Sequence, residues 1–221
     1  MNALKSIRVW DLPTRLFHWL LVALFAFSWA SAELGGNAME WHMLSGYTLL
    51  GLVLFRLLWG IAGSATARFS QFVQGRGAVL AYLRTFLGGG MPAGVGHNPA
   101  GGWMVVAMLA LLLLQGATGL FANDDIITEG PLYHLVSKET SNALTELHEG
   151  VFNALLTLAA IHIGAIFFYL LVKRDNLIRP MLTGRKEVPA ETPQPRMVSP
   201  WRALPLALIA GVSVYLLVTR L

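Results

Sequence analysis

The chain has 221 residues, of which 55% are hydrophobic and 13% are charged, and its formal net charge is +4. Soluble domains carry about 25% charged residues, so the composition excludes an ordinary soluble protein and indicates an integral membrane protein. Cysteine is absent, which excludes disulfides, thiolate metal sites and a covalently attached c-type haem. No nucleic-acid partner is expected.

Five apolar runs are long enough to cross a hydrocarbon core of about 30 Å, which needs about 20 helical residues. They are residues 16–34, 41–61, 102–122, 148–172 and 203–219. Between the second and third runs, residues 68–87 interleave apolar side chains with arginines, which predicts an amphipathic helix on the inner membrane surface, ended by Gly88–Gly90. Residues 187–202 are rich in proline and predict a linker to the fifth span.

The basic residues predict how the chain threads through the membrane. With the N-terminus in the cytoplasm, every lysine and arginine except Lys138 and Arg220 falls on the inner side. Cytoplasmic segments carry an excess of these residues, so we expect a bacterial inner-membrane protein with a cytoplasmic N-terminus and a periplasmic C-terminus. The acidic residues show the reverse bias, with an outer group of Glu33, Glu40, Asp124, Asp125, Glu129, Glu139, Glu146 and Glu149.

Four histidines lie in the predicted spans. His148 and His162 are fourteen residues apart, which is about 40° short of four helical turns and about 21 Å of rise, so they share a face at two depths. Because successive spans alternate in direction, His18 belongs to the inner level and His42 to the outer level. The sequence therefore predicts two pairs at matching depth, His18 with His162 and His42 with His148.

Each pair suits a haem iron, because two neutral imidazoles from facing helices can supply both axial ligands. Tetrahedral zinc would need about four ligands at one level. A proton relay usually recruits buried carboxylates, and the span interiors have none. We therefore expect two non-covalent b haems, with a haem-free transporter as an alternative.

Two arginines are candidates for the propionates of the inner haem. Arg56 follows His42 by fourteen residues and should lie at the inner level, and Arg15 begins the first span. The alternative for Arg56 is a side chain that extends to the inner headgroups. Glycines in the spans would leave room for a macrocycle or for helix contacts, namely Gly46, Gly51, Gly116, Gly119, Gly150 and Gly164.

Several stretches together resemble the prokaryotic cytochrome b561 family, which includes b-type cytochrome subunits of nickel-iron hydrogenases. They are VWDLPTRLFHW at 9–19, WHMLSGYTLLGLVLFRLLWG at 41–60, GHNPAGGWM at 96–104, TGLFANDDI at 118–126, and the run from LHEGVF to PMLTG at 147–184. The resemblance implies an all-α four-helix membrane bundle over residues 1–186 that binds b-type haem. Its axial ligands would fall on His18, His42, His148 and His162. The fifth span, 203–219, departs from the four-helix pattern.

The resemblance also implies electron transfer between a membrane quinone, ubiquinone or menaquinone, and a redox partner. The acidic outer connection, residues 123–147, should attract a basic protein such as a c-type cytochrome. The alternative is a haem-bearing anchor subunit of a hydrogenase or dehydrogenase complex. Some family members oxidise superoxide, but only Lys138 could steer that anion here, so this activity ranks lower.

Two further histidines stand outside the spans. Asn98 as a helix cap and Pro99 in the first turn explain the motif around His97 without a functional role for that histidine. His134, in the outer connection, is read as an ordinary loop residue, with a quinone or partner site as the alternative.

Overall fold

The computed structural model of the chain describes residues 3–90 and 94–220. Helices dominate these residues, and two short strands accompany them. In chain order the elements are β1 (Leu4–Arg8), α1 (Leu12–Leu34), α2 (Met39–Ala62), α3 (Phe69–Phe72), α4 (Arg76–Leu87), α5 (Pro99–Gly119), α6 (Lys138–Leu171), α7 (Ile178–Thr183), β2 (Arg185–Pro189) and α8 (Ala203–Arg220).

Five helices among the described residues are long and apolar enough to cross a membrane, as the sequence predicts. They are α1, α2, α5, α6 and α8. The spans of α2 and α8 each include a short segment before the helix and begin at Gly36 and Pro200. The fold is therefore an all-α membrane protein.

Helix α6 begins at Lys138, ten residues before the predicted span. Ser137 caps it, because its Oγ accepts the backbone N–H of Thr140 at 3.2 Å. The polar first turns then bind the preceding connection, where Thr145 Oγ1 accepts the backbone N–H of Asn123 at 3.1 Å. The apolar pattern of the sequence covers only the later part of α6, so it does not indicate this polar extension.

The single amphipathic helix predicted over residues 68–87 is wrong. The structure has two helices, α3 and α4, because Gly75 is extended, with ψ 164°, and starts a new helix. The predicted end of α4 is confirmed. Gly89 has a φ of +84°, and Gly90 donates its N–H to the carbonyl of Thr85 at 2.9 Å, which closes the helix in a Schellman motif.

The two strands are a feature that the sequence does not predict. They pair antiparallel, from Leu4 opposite Pro189 to Arg8 opposite Arg185. The segment expected to be a linker thus begins inside a strand. Each strand has only five residues, of which one is buried, and so short a segment is not identified as a strand from sequence.

The described chain divides into two compact units. The first comprises Met1–Leu16, Leu57–Ala107 and Ala159–Ala203, and the second comprises Phe17–Arg56, Met108–Leu158 and Leu204–Leu221.

The first unit contains the strands and the start of α1. The Asp11 carboxylate accepts the backbone N–H of Thr14 at 2.8 Å, which caps α1. Its other oxygen accepts the indole N–H of Trp59, at the end of α2, at 3.1 Å. Asp11 is 4% exposed and Trp59 is fully buried. The first turn of α1 is therefore held to the last turns of α2 by buried hydrogen bonds.

The second unit contains most of α1, α2 and α8. Leu50 of α2, Val214 of α8 and two leucines after α5, Leu120 and Leu132, form one buried cluster. Gly51 allows α8 to approach, because a methyl group there would lie 4.0 Å from the Val214 side chain. The fifth helix is therefore packed on the helix that carries His42.

Candidate functional site

The structure brings two of the predicted histidines together. His42 lies in the first turn of α2 and His148 lies in the third turn of α6, and their ring centroids are 6.2 Å apart. The ring planes are inclined at 80°. The two histidines that the sequence assigns to the outer level thus lie close together inside one unit of the structure.

Both rings are oriented by backbone carbonyls. His42 Nδ1 lies 2.9 Å from the carbonyl oxygen of Ser28, and His148 Nδ1 lies 2.9 Å from that of Gln115. A carbonyl oxygen can only accept, so each Nδ1 carries the hydrogen and donates it. In a neutral ring with its hydrogen on Nδ1, Nε2 carries the free lone pair, and this is the nitrogen that can bind a metal.

The separation of the rings fits an axial ligand pair. A metal–imidazole nitrogen bond is about 2.0 Å, and the nitrogen lies about 1.1 Å from the ring centroid, so two ligands on one iron have centroids about 6 Å apart. The observed 6.2 Å agrees with that value. Two imidazoles oriented in this way are also a donor set that suits the iron of a b-type haem.

Glycine makes room for one of these rings. A methyl group on Gly119 would lie 2.9 Å from Cε1 of His148 and 3.2 Å from its Nδ1. A methyl group on Gly116 would instead lie 3.0 Å from Cδ1 of Leu50, and one on Gly51 would lie 4.0 Å from the Val214 side chain. Methyl groups on the other three glycines singled out in the spans would meet no protein atom within 4 Å, and these are Gly46, Gly150 and Gly164.

The other predicted pair is divided between the two units. His18 lies on α1 in the second unit, half-buried, with its ring 4.9 Å from that of Trp19. His162 lies on α6 in the first unit and is also half-buried. The pairing of His18 with His162 stays a prediction.

A comparison with protein families adds an independent observation. A family model described as prokaryotic cytochrome b561 matches residues 9–184. The chain belongs to that family. Searches of the curated proteins and of the solved structures found no significant match. This membership makes the protein a multi-pass membrane cytochrome of b-type haem electron transfer, and the match contains α1, α2, α5 and α6 in full.

The two predicted arginines of the cytochrome have different surroundings. Arg56 is 2% exposed, so its guanidinium is covered by protein. Arg15 donates from Nε to the carbonyl of Met181 at 3.4 Å and from Nη2 to the carbonyl of Leu182. Arg15 thus binds the C-terminal half of α7, and its role toward a propionate is untested.

The remaining histidines are placed by packing. The His97 ring packs between Trp10, at 4.7 Å, and Phe72, at 4.5 Å. Asn98 caps α5 as predicted, because its Oδ1 accepts the backbone N–H of Gly101 at 2.7 Å. His134 is exposed in a short 3-10 helix.

The connection between α5 and α6 is an acidic surface with local hydrogen bonds to Asp124. Hydrogen bonds from the Thr128 side chain and from backbone N–H groups hold the pKa of Asp124 well below its usual range. Lys138 forms an ion pair with Asp125 at 2.9 Å, with both side chains 61% exposed. The cation that could steer an anion is therefore already beside a carboxylate.

Sequence reasoning missed the groups that orient the histidines. These are the Ser28 and Gln115 carbonyls and two nearby hydroxyls, those of Ser31 and Thr118. Hydroxyl side chains in an apolar helix were the available signal. The histidine rings that these groups orient lie on other helices, His42 on α2 and His148 on α6, so the signal alone could not connect the two.

Proposed function

We propose that this cytochrome is a dihaem b-type protein that transfers electrons across or within the inner membrane. It would connect the quinone pool, ubiquinone or menaquinone, with a redox partner. The observation that carries the proposal is the His42–His148 pair, with its 6.2 Å ring separation and its two oriented imidazoles. Haem b held there supplies a one-electron iron couple.

The second haem is proposed on His18 and His162. From helical rise alone, His162 lies about 21 Å along α6 from His148. His18 lies ten residues, or about 15 Å, along α1 from Ser28, whose carbonyl binds His42. Both estimates put these histidines well below the level of the first pair, which supports a separate haem.

Arg56 is the proposed counter-charge of that second haem. Arg56 is 2% exposed, and a guanidinium and a propionate form a charge-assisted pair whose hydrogen bonds are stronger in such a buried setting than in water. Because Arg56 follows His42 by fourteen residues, helical rise places it at the inner level. Arg15, held by α7, is proposed to lie close to the same propionates.

The partner is proposed to be a c-type cytochrome at the outer face. We infer the orientation from the basic residues, which put the N-terminus in the cytoplasm and the α5–α6 connection outside. The acidic connection, with the Asp124 carboxylate held ionised by its hydrogen bonds, would attract a basic protein. Removal of Asp124 and Glu129 charges should then slow electron exchange with a basic cytochrome c, most strongly at low salt.

A second candidate is a haem-bearing anchor subunit of a hydrogenase or dehydrogenase complex. One observation favours it: Ile126 and Ile127 are 82% and 83% exposed on the connection that Asp124 orders. An apolar tip of this kind suits a permanent protein contact. Copurification of a large metal-containing subunit would support this candidate over a diffusing partner.

The test of the proposal is a redox titration of the purified protein with haem quantification. We expect two b haems per chain with separate midpoint potentials. His42→Ala and His148→Ala should remove one and the same haem, and His18→Ala and His162→Ala should remove the other. Absence of a Soret band, or loss of the same haem in His42→Ala and His162→Ala, would refute the assignment.

A further inference from the structure

Two serines one turn apart on α1 meet at the hydrogen bond that orients His42. The Ser28 carbonyl accepts the Nδ1–H of His42 at 2.9 Å, and the Ser28 hydroxyl oxygen lies 3.2 Å from the same nitrogen. The Ser31 hydroxyl donates to that same carbonyl at 2.9 Å. Ser28 is 8% exposed and Ser31 is 4% exposed, so neither hydroxyl lies at the surface.

These two hydroxyls act on the imidazole in opposite ways. An acceptor at Nδ1–H raises the basicity of the ring, and a more basic axial ligand favours the oxidised iron. The Ser28 hydroxyl oxygen is a second acceptor at this hydrogen and therefore adds to the effect. The Ser31 hydroxyl competes for electron density on the carbonyl oxygen, so it weakens the bond that His42 donates.

The Nδ1 of His148 meets a similar carbonyl and hydroxyl, which both belong to α5. Its Nδ1 lies 2.9 Å from the Gln115 carbonyl oxygen and 3.2 Å from the Thr118 hydroxyl. The Thr118 hydroxyl also donates within its own helix, where the carbonyl oxygen of Leu114 lies 2.9 Å from Oγ1 and that of Gln115 lies 3.1 Å from it. One hydroxyl combines both effects there, whereas on α1 they belong to two residues and can be separated.

We propose that Ser28 and Ser31 are positioning residues that tune, in opposite directions, the reduction potential of the haem held by His42 and His148. Ser28 lowers this potential and Ser31 raises it, both through the Nδ1 hydrogen bond of His42. The inference rests on the proposed function and assigns roles to residues that touch the ligand ring or its carbonyl acceptor.

The test is a potentiometric titration of the full-length purified protein with Ser28→Ala and Ser31→Ala. We expect Ser28→Ala to raise the midpoint of the His42–His148 haem and Ser31→Ala to lower it, with the other haem unchanged. A merely structural role for the serines would loosen the site and move both variants in the same direction. The opposite signs are therefore the decisive result.

Ser45 provides a matched control on α2. Its hydroxyl donates to the backbone carbonyl of His42 at 2.9 Å, over the same three-residue spacing as Ser31 to Ser28, and Ser45 is also 4% exposed. Because this carbonyl does not bind the imidazole ring, Ser45→Ala should leave both midpoints unchanged. An equal shift in Ser45→Ala would overturn the inference.

The outcomes separate this inference from the proposed function. Wild-type protein without haem refutes both, whereas haem-loaded variants that show no shift, or shifts of one sign, refute only the inference. If Ser28→Ala loses its haem, Ser28→Thr retains the hydroxyl and should keep the wild-type midpoint. Ser31→Ala then decides, since its hydroxyl does not touch the ring, and an unshifted midpoint in that variant overturns the proposal.

Discussion

A single methyl group added at Gly119 should displace the haem held by His42 and His148. In Gly119→Ala the new Cβ would lie 2.9 Å from Cε1 of His148 and 3.2 Å from its Nδ1. The contact is with a ring that is itself held by the Gln115 carbonyl. The substitution therefore acts on the orientation of a ligand and leaves the ligand itself in place.

The size of the effect follows from these distances. Carbon atoms in contact prefer about 3.5 Å or more, so the ring must move by about 0.6 Å. The distance from His148 Nδ1 to the Gln115 carbonyl oxygen is 2.9 Å, and such hydrogen bonds extend to about 3.2 Å. A ring movement of this size therefore exceeds what the hydrogen bond can absorb by stretching. Overpacking of this type costs about 1–3 kcal/mol, which corresponds to about a 5- to 150-fold weaker retention of the haem.

The assay is the haem-to-protein ratio of the purified variant, followed by titration with a haem-scavenging apoprotein. We expect Gly119→Ala to lose one haem faster than wild type and to retain the other. Gly211→Ala is the control, because a methyl group at that position of α8 meets no atom within 4 Å. It adds the same volume to a membrane helix of the same unit.

One result would refute the packing argument. If Gly119→Ala binds both haems with wild-type spectra and release rates, the His148 ring does not occupy the position described. Similar haem loss in Gly119→Ala and Gly211→Ala would instead indicate general destabilisation of the bundle.

Substitutions at two other positions test more distant features. Arg56→Gln removes a buried positive charge, which favours the reduced form of a nearby haem, so the midpoint potential of the His18–His162 haem should fall. Potentiometric titration measures this potential. A shift confined to the other haem would contradict the assignment. Asp11→Ala removes the cap of α1 and the acceptor of the Trp59 indole, so the free energy of unfolding should fall by about 0.5–2 kcal/mol for the cap alone. Asp11→Asn retains a capping oxygen and should lose less in the same denaturation experiment, and equal losses would count against capping.

Much of the fold could be predicted because bilayer thickness and helical rise are simple constraints. Five apolar runs gave five helices, and Asn98 and Gly88–Gly90 marked helix ends through their local hydrogen bonds. Features that depend on contacts distant in sequence could not be read in this way. The β1–β2 pairing joins residues more than 170 positions apart, and the polar start of α6 depends on its contacts with the α5–α6 connection.

The histidine site likewise has features that follow from single segments and features that depend on contacts between helices. The sequence by itself determined which histidines are candidates and that His42 and His148 share a level, because both follow from the direction of each span and a regular rise per residue. Only the tertiary structure decided how close the two rings lie, which carbonyls set their tautomers, and that Gly119 gives His148 its space. The physical reason is that helical rise is a property of one chain segment, whereas a hydrogen bond between helices depends on the rotation and packing of both.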